Sequence, residues 1–197
     1  MSGDVVHIAL AADAGYVPHL AATIASVHSS TSRPLKITVM HDGISAGDRQ
    51  KIEGVAQRAQ FEWIGVDDER LLSLIGNEHF ASRATFFRLA LPHLMAPDAI
   101  RVIYLDSDLV LTRDIGGLFD TSLAGRPVGA IEDTGVDARD FARQWQITGS
   151  RMRYFNAGVL LIDLRHPETG TLFESATEFA ITYRGALPYC DQDALNY

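Results

Sequence analysis

Two carboxylates stand two residues apart at Asp106 and Asp108, with Ser107 between them and the run Arg101-Val102-Ile103-Tyr104-Leu105 leading straight in. On an extended chain, residues i and i+2 point the same way, so both carboxylates can converge on one cation. Oxygen-only ligands suit Mn2+ or Mg2+. An ion held there could bridge diphosphate oxygens and stabilise the charge on a departing nucleotide. In open α/β sheets, ligands collect at the carboxyl ends of strands, which is where this pair falls. Taken alone, the triplet is also an ordinary solvated turn, because Asp and Ser are turn formers.

A second chemistry fits the same triplet. Phosphatases of the haloacid-dehalogenase type end a buried strand in D-x-D and use the first Asp as a nucleophile. They need a lysine further along the chain, and here the only lysines are Lys36 and Lys51, against fifteen arginines. Other chemistries find little support. The seven histidines show no zinc-like spacing, and Cys190 is the only cysteine, so no intrachain disulfide or paired-cysteine metal site exists. Cys190 reads as packing rather than chemistry.

Stepping outward from the triplet, the chain of 197 residues is long enough for one compact domain. It is 47% apolar and 21% charged, an ordinary globular balance. A net charge of −8 disfavours nucleic acid as a partner. Asp4 precedes the apolar run Val5 to Ala12, where a signal peptide would carry basic residues, and no apolar stretch is long enough to span a bilayer. The expected location is cytoplasmic. Any contact with an inner membrane would be peripheral, through segments outside this sequence, and self-association is left open.

The elements that must position the triplet alternate. Val5 to Ala12 reads as a buried strand, residues 16–29 as a helix, Leu35 to Met40 as a strand, and Ser45 as the cap of a helix reaching Arg58. Phe61 to Val66 is a strand, Asp67 to Ile75 a helix, and Arg83 to Leu94 a helix stopped by Pro97. Arg101 to Leu105 is the strand that feeds the triplet, with Leu109 to Leu111 as a short extension. Then come a strand at Pro127 to Ile131, a helix at Asp137 to Gln144, a strand at Gly158 to Asp163 and a helix at Glu168 to Tyr183. Asp191 to Tyr197 opens one more helix, and residues 133–153 read as a polar, loop-rich lid. This alternation predicts an α/β fold with a mostly parallel central sheet flanked by helices.

Six segments occur in one order: HIALAADAGY, RATFFRLALP, RVIYLDSDLVL, VGAIED, YFNAGVLLIDL and DQDALN. In this series the chain resembles glycosyltransferase family 8, the group of bacterial lipopolysaccharide galactosyl- and glucosyltransferases and of glycogenin. The resemblance covers nearly all of the sequence. It implies a GT-A (Rossmann-like) fold and a UDP-hexose donor, with galactose or glucose moved to a saccharide or glycolipid acceptor. It also implies retention at the anomeric carbon and an Mn2+ or Mg2+ ion on Asp106 and Asp108. A non-catalytic nucleotide-sugar-binding module is the alternative in the same fold.

The resemblance also assigns residues. Ala11, Asp13 and Tyr16 match positions that hold uracil and ribose, where a carboxylate accepts from the base N–H and a ring stacks on it. Gly15 stands where many members carry Asn. Arg88 matches a donor-contacting arginine, with Arg83 as its rival, and Asp106 and Ser107 face the donor as well. Asp133, with Glu132 as a weaker candidate, matches a carboxylate for sugar hydroxyls. Asn156 and Ala157 precede Gly158 within YFNAGV. An Asn among aromatics and aliphatics is costly to bury unpaired, so it is expected to hydrogen-bond the sugar, while Gly158 lets backbone approach closely. Asp191 would hold sugar hydroxyls and is also placed to cap the last helix. Gln192 would lie near the anomeric carbon, opposite the leaving group. Family members usually continue past the end of this sequence, with a His that completes the metal site, so the chain reads as a single GT-A domain over residues 1–197, truncated at its carboxyl end.

Overall fold

A strand with no polar face must be covered on both sides, and VHIALAA is such a strand apart from His7. The structure is a computed structural model that describes residues 5–74, 82–148 and 153–197. In it, β1 (Val6–Asp13) lies inside a six-stranded sheet and is buried along its length up to the last residue. Around it follow α1 (Val17–Ser30), β2 (Leu35–Asp42), α2 (Ala46–Val55), β3 (Ala59–Gly65) and α3 (Glu69–Leu72). A 3-10 helix over Arg83–Ala90 runs into α4 (Leu91–Leu94) and then β4 (Arg101–Leu105). The remainder is α5 (Gly116–Phe119), β5 (Val128–Glu132), α6 (Ala138–Gln144), β6 (Phe155–Asp163), α7 (Thr169–Tyr183) and α8 (Asp191–Asn196).

The strand order is β3-β2-β1-β4-β6-β5. The first four strands are mutually parallel, β6 runs against β4, and β5 runs against β6. Only β6 is therefore reversed, which the alternation of strands and helices did not announce. Alternate positions feed two apolar layers. Ala9, Ala11, Val102, Tyr104, Leu160 and Ile162 pack beneath the 3-10 helix, α7 and α8. Ile8, Leu10, Ile103, Leu105 and Leu161 pack against Leu20, Ile24 and Val27 of α1. Because Asp106 follows Tyr104 by two residues, this alternation aims it toward the 3-10 helix and α8.

The differences from the sequence reading have local causes. The expected helix over Arg83 to Leu94 is wound as 3-10 up to Ala90, and the N–H of Leu91 bonds the carbonyl of Arg88. Pro92 has no N–H to make the longer reach back to Arg88 that an α-helix would need. The helix expected from Asp67 shortens to Glu69–Leu72 behind an Asp68 cap, and Ile75 lies outside the described residues. Leu109 to Leu111 is no strand. Thr23 and Ser26 of α1 take its backbone groups, with Leu109 N–H on Thr23 Oγ1 at 3.0 Å and Leu111 N–H on Ser26 Oγ at 3.0 Å. The segment expected as a lid carries α6, whose Phe141 meets Tyr154 edge-on at 4.9 Å, while residues 149–152 fall outside the described ones. Among the described residues no helix is long and apolar enough to cross a membrane.

Candidate functional site

β1 and β4 are parallel neighbours, paired from Ile8 and Ile103 to Leu10 and Leu105, so their carboxyl ends open side by side. Ser107, which lines the same cavity as the two carboxylates, ties those ends together by donating to the Ala11 carbonyl at 2.6 Å. Beside this tie lies a cavity of about 500 Å3 whose walls include Asp13, Tyr16, Arg88, Asp106 and Asp108. Asp13 Oδ1 accepts from the N–H groups of Gly15 and Tyr16 at 2.8 and 3.1 Å, which shapes the turn after β1. Tyr16 is exposed and stacks on His19 with centroids 4.7 Å apart, so it is a surface ring at the cavity wall rather than a core residue.

Arg88 joins this cavity to a second group of residues. Its side chain is buried, its Nη1 lies 3.0 Å from Asp106 Oδ1, and its Nε lies against Asp191 Oδ2. The Nε–H itself is directed at the Thr85 carbonyl at 3.3 Å, and Nη1 also donates to the Ala157 carbonyl. Asp191 Oδ2 is buried and meets Arg88 as an ion pair rather than through a directed hydrogen bond. Burial pushes the Asp191 carboxyl up to about 7, against the pull of Arg88. Tyr104 underlies the group, with its hydroxyl 3.3 Å from Asp106 Oδ1 and its ring 4.7 Å from the guanidinium carbon. Arg83 is elsewhere occupied, bridging to Asp42 at 2.7 Å on the surface.

The second group is a polar belt at the start of β6. Gln192 is held at both ends, accepting from Ala157 N–H at 2.9 Å and donating to Asp133 Oδ2 at 3.1 Å. Asn156 Nδ2 lies 3.5 Å from the same Asp133 oxygen. The register between β5 and β6 slips here, with Ala130 facing Leu160 but Ile131 facing Asn156, so the belt sits on a bulge. Gly158 is the contact between belt and triplet. Its carbonyl accepts from Asp106 N–H at 2.8 Å, and a Cβ there would fall 2.6 Å from Asp106 Oδ2.

Two expectations need correction. Asn156 is exposed, not buried, and its Oδ1 accepts from Gly158 N–H at 2.8 Å, so no burial cost forces a sugar partner on it. Asp191 is not the cap of α8. Cys190 holds that position, and Asp191 is the first helical residue, with its carboxylate turned to Arg88. Otherwise the residues named from sequence assemble as two adjoining groups, Ala11, Asp13, Tyr16, Arg88 and the triplet in one, Asp133, Asn156, Ala157, Asp191 and Gln192 in the other. Sequence reasoning passed over Tyr104, although its two-residue spacing from Asp106 was a usable signal, and over Asp193, which is buried in α8. As a metal site, the triplet offers two carboxylates on one wall, a fit for part of an octahedral oxygen shell. Among the described residues no group of three His, Cys, Asp or Glu gathers round one point.

The sequence model of the family described as Glycosyl transferase family 8 matches residues 7–197. The chain belongs to glycosyltransferase family 8. Similar proteins include General stress protein A of Bacillus subtilis, 28% identical over 98% of this chain and 68% of its own length. The lipopolysaccharide 1,2-glucosyltransferase of Escherichia coli is 25% identical over 99% of this chain and 58% of its own. The lipopolysaccharide 1,3-galactosyltransferase of Salmonella typhimurium is 27% identical over 98% of this chain and 59% of its own. The chain thus spans less than two thirds of the length of these two enzymes. The structure of the galactosyltransferase LgtC, in complex with donor and acceptor sugar analogs, matches 97% of this chain and 69% of its own with a TM-score of 0.82 and 30% identity. The six-stranded sheet of this family 8 chain is accordingly a GT-A fold. Membership also sets aside the phosphatase reading of the D-S-D triplet.

Proposed function

We propose that this chain binds a UDP-hexose, with galactose or glucose as the sugar, and moves the sugar to a saccharide or glycolipid acceptor with retention at the anomeric carbon. The observation that carries the reading is Arg88, which draws a triplet carboxylate and Asp191 to one buried guanidinium, so that a diphosphate-sized cavity adjoins a hydroxyl-binding belt. Galactosyl- and glucosyltransferases among the relatives support the choice of sugars.

In this reading Tyr16 stacks on uracil and Asp13 accepts from its N–H with the oxygen not used in the turn. Asp106 and Asp108 hold Mn2+ or Mg2+, which when bound neutralises charge on the diphosphate. Ser107 keeps the two strand ends in register, and Arg88 fixes both carboxylates it touches. Asp191, held by Arg88, accepts from sugar hydroxyls, and Asp133 and Asn156 meet others. The bond from the anomeric carbon to the phosphate oxygen breaks with its electron pair going to the phosphate. An oxocarbenium-like sugar results, as in glycoside hydrolysis. The acceptor hydroxyl attacks from the face the phosphate leaves, and its proton passes to the departing phosphate oxygen. Gln192 is an amide engaged at both ends, which supports this course over a double displacement through a glutamine adduct.

Incubation with UDP-galactose or UDP-glucose and a saccharide acceptor tests the proposal. The expected result is UDP release with a product whose anomeric proton keeps the donor's configuration by NMR. An inverted product, or a glycosyl adduct on Gln192 by mass spectrometry, contradicts the mechanism. Binding of UDP-hexose without any release, under acceptor conditions that serve the relatives, favours the non-catalytic binding module.

A further inference from the structure

Asp193 is the third residue of the D-Q-D run, and its type invites a catalytic reading. Its side chain faces the interior instead. It is 1% exposed, Oδ1 accepts from the Tyr154 hydroxyl at 2.6 Å, and Oδ2 accepts from Tyr189 N–H at 2.8 Å. Both carboxylate oxygens are therefore engaged with the protein. The two partners come from different places. Tyr154 precedes β6, is fully buried, and passes its carbonyl to Asp133 N–H at 2.8 Å. Tyr189 belongs to the turn that enters α8.

That turn closes through Cys190, a non-glycine residue at φ 51 and ψ −117. Such a conformation costs free energy and persists only where surrounding contacts over-determine it. Asp191 and Gln192 follow directly, so the direction in which they leave the turn depends on Cys190 keeping this conformation. α8 has six residues, too few to hold itself. Asp193 clamps its first turn to Tyr154, and Asn196 clamps its end to β6, accepting from Phe155 N–H and donating to Phe155 O at 2.8 and 2.9 Å.

We propose that Asp193 is a positioning residue: with Tyr154 it locks the Cys190 turn so that Asp191 and Gln192 present to the sugar half of the cleft. It serves neither as nucleophile nor as sugar ligand. The inference rests on the reading of Asp191 and Gln192 as donor-sugar residues.

Tyr154→Phe and Asp193→Asn test it, since the first removes only a buried hydroxyl and leaves the Asp193 carboxylate in place. The readouts are Kd for UDP, kcat and KM for UDP-galactose or UDP-glucose, and thermal midpoint. Hydrogen bonds to a buried carboxylate carry roughly a tenfold to hundredfold effect. Accordingly Tyr154→Phe is expected to lower kcat/KM about tenfold or more while the Kd for UDP stays within about twofold. Asp193→Asn, which keeps one acceptor, is expected to fall in the same direction with the same sparing of UDP. A Tyr154→Phe chain with wild-type kcat/KM beside a dead Asp193→Asn overturns the inference in favour of a direct chemical role. A lowered thermal midpoint with unchanged kcat/KM in both variants reduces the clamp to fold stability and also overturns it. Absence of turnover by the wild-type chain is read in the same assay; it contradicts the function reading itself, and the inference with it.

Discussion

Gly158 and the Asp106 carboxylate compete for the same space. A methyl group on Gly158 would lie 2.6 Å from Asp106 Oδ2 and 3.0 Å from Asn156 Oδ1, so Gly158→Ala has to move one of these side chains. Overpacking of this kind costs roughly 1–3 kcal/mol. The expected outcome is about a tenfold or greater weakening of Mn2+-dependent UDP binding, with metal-free binding little changed, read by titration calorimetry. Equal metal-dependent affinity in the variant and the wild type would mean that Asp106 is not where the ion binds. At this scale the sequence was informative about residue types and less so about partners. The spacing of Asp106 and Asp108 foretold their shared wall. Nothing in the local sequence foretold that Arg88, some way upstream, would be buried between Asp106 and Asp191, because that contact depends on the 3-10 winding and on the placement of α8.

The strands carry their own electrostatics at the end away from the site. His7 on β1, Thr38 on β2 and Glu62 on β3 form a ladder across three neighbours, with His7 Nε2 at 2.9 Å from Thr38 Oγ1 and that hydroxyl at 3.2 Å from Glu62 Oε2. Since Thr38 donates to Glu62, it accepts from His7, which assigns the ring proton to Nε2. Burial, helped by Lys36 and opposed by Glu62 and Asp98, lowers His7 from 6.5 to about 4. The unfolded chain therefore binds the His7 proton first as pH falls. The ladder's contribution is full above pH 6.5, is lost as pH drops toward 4, and changes no further below that. The expected loss is roughly 2 kcal/mol, discounted for solvent screening at the sheet end. Denaturant melts at pH 7 and pH 4.5 should show that His7→Gln flattens this acid-side decline. An unchanged decline in the variant would place the acid sensitivity elsewhere. Elements were mostly legible from sequence. β4 fell where the apolar run placed it, whereas the reversal of β6 was hidden, because strand direction is set by pairing with β4 and β5 and not by the strand's own residues. The early start of β6 at Phe155 was equally hidden, since it depends on a bulge shared with β5.

In the proposed reaction the chain, with a net charge of −8, would have to bind an anionic donor. Repulsion of that kind has to be offset locally, and among the described residues lining the cleft the cationic side chain, Arg88, is already committed to Asp106 and Asp191. Under the proposed function, a divalent ion held by Asp106 and Asp108 would supply that offset. The layered α/β architecture followed from the alternating periods in the sequence, but the cleft did not. It is assembled from β1, β4, β6, the 3-10 helix and α8, whose meeting depends on packing across the whole sheet. Calorimetric titration of the chain with UDP, with and without Mn2+, beside Asp108→Ala tests this most directly. Binding is expected to strengthen markedly with Mn2+, and the gain is expected to disappear in Asp108→Ala. UDP affinity that is indifferent to Mn2+ in the wild type, or a gain that survives in Asp108→Ala, would contradict it.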